Sequence, residues 1–371
     1  MTTSRDTLTV ELEGRGPLKL RSSDYVATGG EGSVYRAQGT VVKVYTDDKK
    51  MQRDRMDEKI RRLAALQHPL IFGPQGLVRD SSGRPIGFYG AYAPGEPMAR
   101  IFTTAFRQRE GFTDAHAIQT AERMRDVFRY AHDNGAILVD PNELNWGVKF
   151  EKRQDPEPRV FDVDSWAIGS WKATVVMPSI RDWHHTTFDE RSDWFAWGVV
   201  TFQIFTGIHP YRGTLDGYAP GELERRMKNN ASVFASGIRL NRAVRDFSCI
   251  PRQLLDWYEA TFEQGLRAVP PSPKDVGAPA PSYATRMYQA VASAAGVLVF
   301  EKLLDLSGNP AIRIFPSGAV LTASGAVYDL ATRRKIGALE SSRGEIVRVS
   351  GGWLFADEEN GNFTYRFVDE R

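Results

Sequence analysis

Cysteine is almost absent. Cys249 is the only one among 371 residues, which excludes an internal disulfide and a cysteine-based zinc site. Histidine is scarce too: six residues, scattered without a metal-site spacing. Neither sign of charge is in excess. With 48 basic and 46 acidic side chains the formal net charge is +2, which gives no reason to expect nucleic acid or an anionic membrane as a partner. Long apolar runs are missing. The longest, residues 194–200, falls far short of the ~20 residues that span a bilayer. Residues 1–6 are polar and lack the apolar core of a signal peptide. These absences predict a soluble protein of the reducing cytoplasm.

What is present is ordinary for a globular chain: 42% hydrophobic and 25% charged residues, which excludes a disordered or collagen-like polymer. At roughly 150 residues per domain, the length predicts two or three domains. Residues 8–46 read as strands. Leu8-Thr-Val-Glu-Leu alternates, and Val34-Tyr35 and residues 41–45 are β-rich on either side of Gly39. Residues 47–66 are charge-dense, with Met56, Ile60 and Leu63 at i, i+4 and i+7 on one helix face. Short strands follow at 76–79 and 86–92, joined by a turn over 80–84.

After Gly95 the pattern turns helical. Residues 114–132 predict a helix with Asp114 as N-cap, Ile118, Ala121, Met124, Phe128 and Ala131 on one face, and Gly135 past its end. Residues 193–206 are apolar nearly all round, the mark of a buried helix. Residues 251–266 predict a third. Five prolines within 268–281 read as a linker, and the alanine-rich stretch 282–296 as helix. From Val297 strands return, at 312–315, 319–322, 326–329, 346–349, 353–356 and 363–367, with Asn360-Gly361 as a hairpin turn. Units starting near Ile312 and Ile346 are weakly similar at a period of about 34, a blade-like spacing.

Three segments carry chemistry. In Ala27-Thr28-Gly29-Gly30-Glu31-Gly32-Ser33-Val34-Tyr35 the glycines let backbone N–H groups approach phosphates between two strands. Gly-rich hairpins are common, so this segment alone is weak. Lys43, eight residues past Tyr35, sits among apolar residues of a strand in Val41-Val42-Lys43-Val44. It either snorkels at a sheet edge or reaches the phosphates of a nucleotide under the glycine loop. Further on, Val139-Asp140-Pro141-Asn142-Glu143-Leu144-Asn145 puts an aspartate and, five residues later, an asparagine on a loop after a short apolar strand. An aspartate there orients and deprotonates a hydroxyl and the asparagine binds the adjacent metal; the plain alternative is an Asx-rich turn. Last, in Val160-Phe161-Asp162-Val163-Asp164-Ser165-Trp166 two carboxylates at i and i+2 leave an apolar strand. Such a pair suits Mg²⁺; a solvated strand end is the alternative.

In this order, glycine loop, strand lysine, Asp-x4-Asn and Asp-x-Asp resemble the signature set of protein kinases. Leu66-Gln-His-Pro-Leu-Ile resembles the segment after the regulatory helix. Asp193-Trp-Phe-Ala-Trp-Gly-Val-Val-Thr-Phe-Gln-Ile-Phe-Thr-Gly-Ile-His-Pro-Tyr-Arg-Gly resembles the buried helix of the C-terminal lobe and the loop after it, the most specific match in the chain. The matches cover about residues 24–268. Their flavour is that of a bacterial kinase group whose members are fused to helix-hairpin-helix modules, absent here, or encoded beside von Willebrand-type and phosphatase partners in stress- and tellurium-resistance loci.

The resemblance implies an α+β, two-lobed fold: a β-rich N-lobe over 1–95, a helical C-lobe over 96–267, a linker over 268–296 and a small all-β module over 297–371. It implies ATP and Mg²⁺ as cofactors, with Gly29, Gly30, Gly32, Val34, Val41, Lys43, Ala91 and Ala93 around the nucleotide. Glu58, fifteen residues past Lys43, is its implied partner on the regulatory helix, although the helical wheel turns it away from the Met56/Ile60/Leu63 stripe. Asp140 and Lys43 are the implied catalytic pair, and Asn145, Asp162 and Asp164 the implied metal ligands. Asp193 is implied to brace the catalytic loop. The implied reaction is γ-phosphoryl transfer to Ser/Thr of a protein substrate, with a phosphatase or von Willebrand-type protein as a further partner.

The departures define the alternatives. Ala27 replaces the first loop glycine. Leu138-Val139 stand where kinases have His-Arg, so the arginine that grips a phosphorylated activation loop is missing. Order in that loop is expected instead from apolar packing of Trp171, Val175 and Met177, with Thr174 and Ser179 as candidate phosphorylation sites. Asn142 replaces the catalytic-loop lysine. Pro178-Ser-Ile-Arg-Asp replaces Ala-Pro-Glu, so the ion pair to an arginine near Arg267 is lost or rebuilt. A pseudokinase scaffold and a small-molecule kinase of the aminoglycoside or choline type remain the two rival readings.

Overall fold

The computed structural model describes residues 7–47, 49–151, 154–173, 175–274, 311–339, 344–349, 351–359 and 362–369. Thr174, the strand start at Val297, the stretch 282–296, the Pro-rich stretch beyond 274 and the Asn360-Gly361 turn lie outside them. The chain divides into two compact units, residues 1–278 and 279–371.

The first unit begins with a seven-stranded antiparallel sheet. Its strands are β1 Thr7–Leu12, β2 Gly16–Arg21, β3 Tyr25–Thr28, β4 Gly32–Ala37, β5 Thr40–Tyr45, β6 Pro74–Arg79 and β7 Pro85–Ala91, in the order β2-β1-β6-β7-β5-β4-β3. The strand β2 lies within the stretch 8–46 read as strands, although the sequence did not delimit it; Gly14 and Gly16, both at positive φ, turn the chain back there. Alternation along the strands separates two apolar faces. Val10, Leu12, Leu18, Leu20, Val42, Val78 and Tyr89 pack together on one side. On the other, Tyr45, Leu77 and Phe88 receive Met56 and Ile60 of the helix Met56–Ala64. At Gly87, opposite β5, a Cβ would lie 1.9 Å from the Lys43 carbonyl oxygen, so the close pairing of β5 with β7 at the lysine requires glycine.

The rest of this unit is mainly helical. The helix Asp114–Asp133 is capped one residue earlier than expected. Thr113 rather than Asp114 is its N-cap, because the Thr113 hydroxyl accepts from His116 N while His116 Nδ1 accepts from Thr113 N. The helix Glu190–Thr206 is capped by Asp189, whose Oδ1 accepts from Arg191 N and Ser192 N. It is buried almost all round, as its apolar sequence predicts, and lies in a core with Met124, Phe128, Trp146, Trp257 and Phe262. The third helix is Arg252–Phe262, shorter than expected; Gly265 at φ +74° and a Leu266 N to Ala260 O bond of 2.9 Å close its end.

The described residues of the second unit form β-strands and the turns between them. Strands Ala311–Ile314, Ala319–Thr322, Ala326–Asp329 and Arg334–Ala338 form one antiparallel sheet; Glu345–Val349, Gly352–Glu359 and Asn362–Asp369 form another. Phe315, Leu321, Val327, Leu339, Ile346, Trp353 and Phe355 make its core. The fold class is thus mixed α+β followed by small all-β sheets. Among the described residues no helix is long and apolar enough to cross a membrane.

Candidate functional site

The candidate site is built where β3, β4 and β5 face two loops from the helical half. In the β3–β4 turn Gly29 N donates to Gly32 O at 2.9 Å. Gly29 and Gly30 are exposed, with open space where a Cβ would be, so their backbone is approachable. Gly32 has a different reason to be glycine: a Cβ would lie 2.5 Å from Val44 O, against the paired strand. Val34 pairs with Lys43, and Val41 with Gly90 of β7. Ala91 ends β7 and Ala93 lies two residues beyond, where Tyr92 N donates to Gly39 O at 3.1 Å.

Lys43 is buried, and its Nζ reaches two carboxylates. It donates to Asp162 Oδ1 at 2.8 Å and to Asp164 Oδ1 and Oδ2 at 3.0 and 2.8 Å. Tyr45 OH, two residues along the same strand face, donates to Asp164 Oδ2 at 2.8 Å. Lys59 Nζ comes from the helix Met56–Ala64 and donates to the Asp164 backbone oxygen at 2.6 Å. Burial disfavours the Lys43 charge, yet the two carboxylates beside it outweigh burial and hold its pKa above the ordinary lysine value. The carboxylates diverge. Burial and then the neighbouring Asp164 charge push Asp162 up. Burial would push Asp164 up as well, but Lys43 and Tyr45 pull it below the usual carboxylate range. Asp162 adopts the left-handed conformation, φ +59°, and its carbonyl accepts from Ser165 N and Oγ.

The second loop follows the helix Asp114–Asp133. Val139 is buried and left-handed, φ +67°, a conformation that costs a β-branched residue on the order of 1–2 kcal/mol. Asp193 of the helix Glu190–Thr206 holds it there: Leu138 N donates to Oδ2 at 2.7 Å and Val139 N to Oδ1 at 2.8 Å. His132 Nε2 lies 2.9 Å from Asp193 Oδ2. Burial raises the Asp193 pKa, and those three partners act against that. Asp140 follows directly. Its Oδ1 accepts from Met177 N at 2.9 Å, and its backbone oxygen accepts from Asn145 Nδ2 at 2.8 Å. Phe161 N donates to Asn145 O at 3.0 Å, which ties the Asp140 loop to the strand that delivers Asp162. Asn142 is buried, its Oδ1 accepting from Leu144 N, a turn-forming role.

The segment after the acid pair is held mostly as expected. Trp171, Val176 and Met177 pack on the helical core, and Trp171 Nε1 donates to Asp54 O at 2.9 Å. Val175 does not share in this; it is 72% exposed, and Val176 takes its place. Ser179 O accepts from His209 Nε2 at 2.7 Å, while Tyr211 N donates to His209 Nδ1, so the imidazole is neutral. Burial pulls its pKa down to about 4. The ion pair of Arg267 is rebuilt on Asp182: Arg267 Nε and Nη2 bind its two oxygens at 2.5 and 2.8 Å, with both side chains buried. Burial raises the Asp182 pKa, but Arg267 wins and lowers it. Removing one partner of such a pair typically costs about 3–5 kcal/mol.

Lys43, Asp140, Asn145 and Asp162 are therefore linked through short bonds across 119 residues. Two expected residues are corrected. Glu58 is exposed and pairs with Arg55 on its own helix, so it does not meet Lys43. Asp164 is buried with both oxygens engaged by Lys43 and Tyr45, which leaves it unsuited to hold a metal. Asp162 keeps 40% of its side chain exposed, and Asn145 commits only its amide nitrogen to Asp140. Among the described residues no cluster of three or more His, Cys, Asp or Glu side chains is arranged to hold a metal ion.

Sequence reasoning missed Lys59, Tyr45 and His132. Lys59 carried a signal: Met56, Lys59, Ile60 and Leu63 complete an i, i+3, i+4, i+7 stripe that the charge of lysine disguised. The chain matches no protein-family model and no curated protein sequence.

Proposed function

We propose that the first unit is a two-lobed, protein-kinase-like domain that binds ATP and magnesium and transfers the γ-phosphoryl group to a protein Ser or Thr hydroxyl. The observation that carries this reading is the convergence of Lys43 with Asp162 beside the loop of Asp140 and Asn145. Lys43 would hold the α/β-phosphates under the open backbone of Gly29 and Gly30. Asp162 and Asn145 fit a hard cation, since each offers oxygen and Asp162 stays accessible. Magnesium, when bound there, would neutralise phosphate charge.

Asp140 would orient the acceptor hydroxyl and take its proton. The hydroxyl oxygen forms the new bond to the γ-phosphorus as the bond to ADP breaks, and ADP leaves with that electron pair. Asp193, through Leu138 N and Val139 N, fixes where Asp140 stands.

A scaffold that binds nucleotide without transfer is the second reading, favoured by the Met177 N–H already seated on Asp140 Oδ1. Calorimetry with ATP and magnesium should give binding that Lys43→Ala weakens, and mass spectrometry after incubation with ATP should find phosphate on protein. Binding without phosphate transfer selects the scaffold. No binding at millimolar ATP overturns the nucleotide reading.

A further inference from the structure

A lysine stands where the regulatory-helix carboxylate was expected. Lys59 is 5% exposed, and its single hydrogen bond among the described residues goes to the Asp164 backbone oxygen at 2.6 Å. A buried ammonium without a nearby counter-charge is costly, so its position calls for a reason. That reason is the Asp164 carboxylate, fully enclosed and already bonded by Lys43 and Tyr45. Lys43 pairs with both Asp162 and Asp164, while Lys59 touches the acid loop at the Asp164 backbone oxygen, close enough for the Asp164 charge to favour its ammonium. The two acids of the helix are spent elsewhere: Glu58 pairs with Arg55 and Asp57 with Arg61.

We propose that the counter-ion which positions Lys43 is supplied by the acid loop, through Asp164, and that Lys59 is a positioning residue which clamps this loop by its carbonyl. The inference rests on the nucleotide reading of the site for its consequence, the orientation of Lys43 toward phosphate. In this arrangement the helix Met56–Ala64 and residues 162–165 are tied by a cation-to-carbonyl bond. Lys43 stays aligned without any carboxylate from the helix. Tyr45 adds the third contact, on Asp164 Oδ2.

The test moves the negative charge from loop to helix. ATP affinity by calorimetry and unfolding temperature without nucleotide are measured for the wild type, Lys59→Met, Lys59→Glu, Asp164→Asn and the double variant Lys59→Glu/Asp164→Asn. Lys59→Met and Asp164→Asn should each weaken ATP binding at least tenfold. Lys59→Glu should be the most damaging to stability, because it sets a carboxylate against Asp164. The double variant should recover both unfolding temperature and ATP affinity to within about fivefold of wild type, since a helix glutamate then serves Lys43. Such charge-specific rescue is not produced by a merely structural lysine. If the wild type binds ATP and the double variant is no better than the worse single variant, the inference is overturned. If the wild type does not bind ATP, the nucleotide reading falls, and recovery or loss of the unfolding temperature in the double variant still decides who balances Lys43.

Discussion

The two loops that frame the candidate site solve the same problem with opposite charges. Each carries one non-glycine residue in the left-handed region, Val139 in one and Asp162 in the other. The Asp140 loop is gripped from the helical core by an anion: Asp193 accepts two backbone N–H groups and faces His132. The acid loop is gripped from the sheet side by cations: Lys59 donates to a backbone carbonyl and Lys43 to the side chains. The difference lies in what each grip leaves over. Asp193 spends both oxygens and is entirely buried, which makes a rigid brace. The lysines leave Asp162 partly open, the one carboxylate of the pair that an incoming ligand can reach. One loop is built to stay put and the other to receive.

The contrast breaks most visibly at Asp193. Asp193→Ala strands Leu138 N, Val139 N and the His132 ring, at about 1–3 kcal/mol for each donor left without a partner. A large drop in unfolding temperature is expected, whereas Asp162→Asn should cost under about 1 kcal/mol because Asp164 still balances Lys43. Chemical denaturation of both variants checks the pair, and equal losses would mean that the two loops are not held differently.

Next in size is Asp140→Asn, which keeps the acceptor for Met177 N and should leave stability unchanged. Under the proposed reaction it lowers the phosphoryl-transfer rate by roughly 10²–10⁴, the range for a positioned acid–base group. A rate that survives intact would remove Asp140 from the chemistry.

A smaller effect is expected with pH. His209 is buried and neutral with its pKa pulled down to about 4, so the unfolded chain takes up its proton first as pH falls. Stability from this group is full above about pH 6.5 and is lost as pH falls toward 4, with about 2 kcal/mol gone between pH 7 and pH 5. Denaturation curves of wild type and His209→Gln should converge as the medium is acidified through that window. Parallel curves would contradict it.

The smallest expected effect is none. Val139 occupies the place of the arginine that grips phosphate in the resembled family, and Trp171, Val176 and Met177 already pack the segment in place. Under the proposed reaction, treatment with phosphatase should leave most of the phosphoryl-transfer rate. Loss of activity on dephosphorylation would show that a different cation reads the phosphate.

Much of this fold was legible because its signals are local. The stripe Met56, Ile60, Leu63 names a helix through its period and the run 193–206 through being apolar nearly all round, and all three stripe residues are buried. The cap of the long helix slipped by one residue because Thr113 and Asp114 are both competent caps, and only the His116 contact selects Thr113. Strand β2 lay within the stretch 8–46 read as strands, and its bounds were set by the turn at Gly14 and Gly16. At the site, Lys43, Asp140, Asn145 and Asp162 were legible as residue types at telling spacings. Glu58 and Asp164 were misassigned because spacing gives a residue's place along the chain and says nothing of what stands opposite.

The sequence by itself determined the elements, the order of the motifs and which side chains could do chemistry, since periodicity, turn residues and composition act over a few residues. Only the tertiary structure decided which charge meets which. Whether Lys43 is balanced by Glu58 or by Asp164, and whether Arg267 finds a partner in Asp182, depends on contacts 85 to 121 residues apart. At such separations the energy of a buried charge is set by burial and by whatever group the fold brings within about 3 Å, and no local pattern encodes that neighbour.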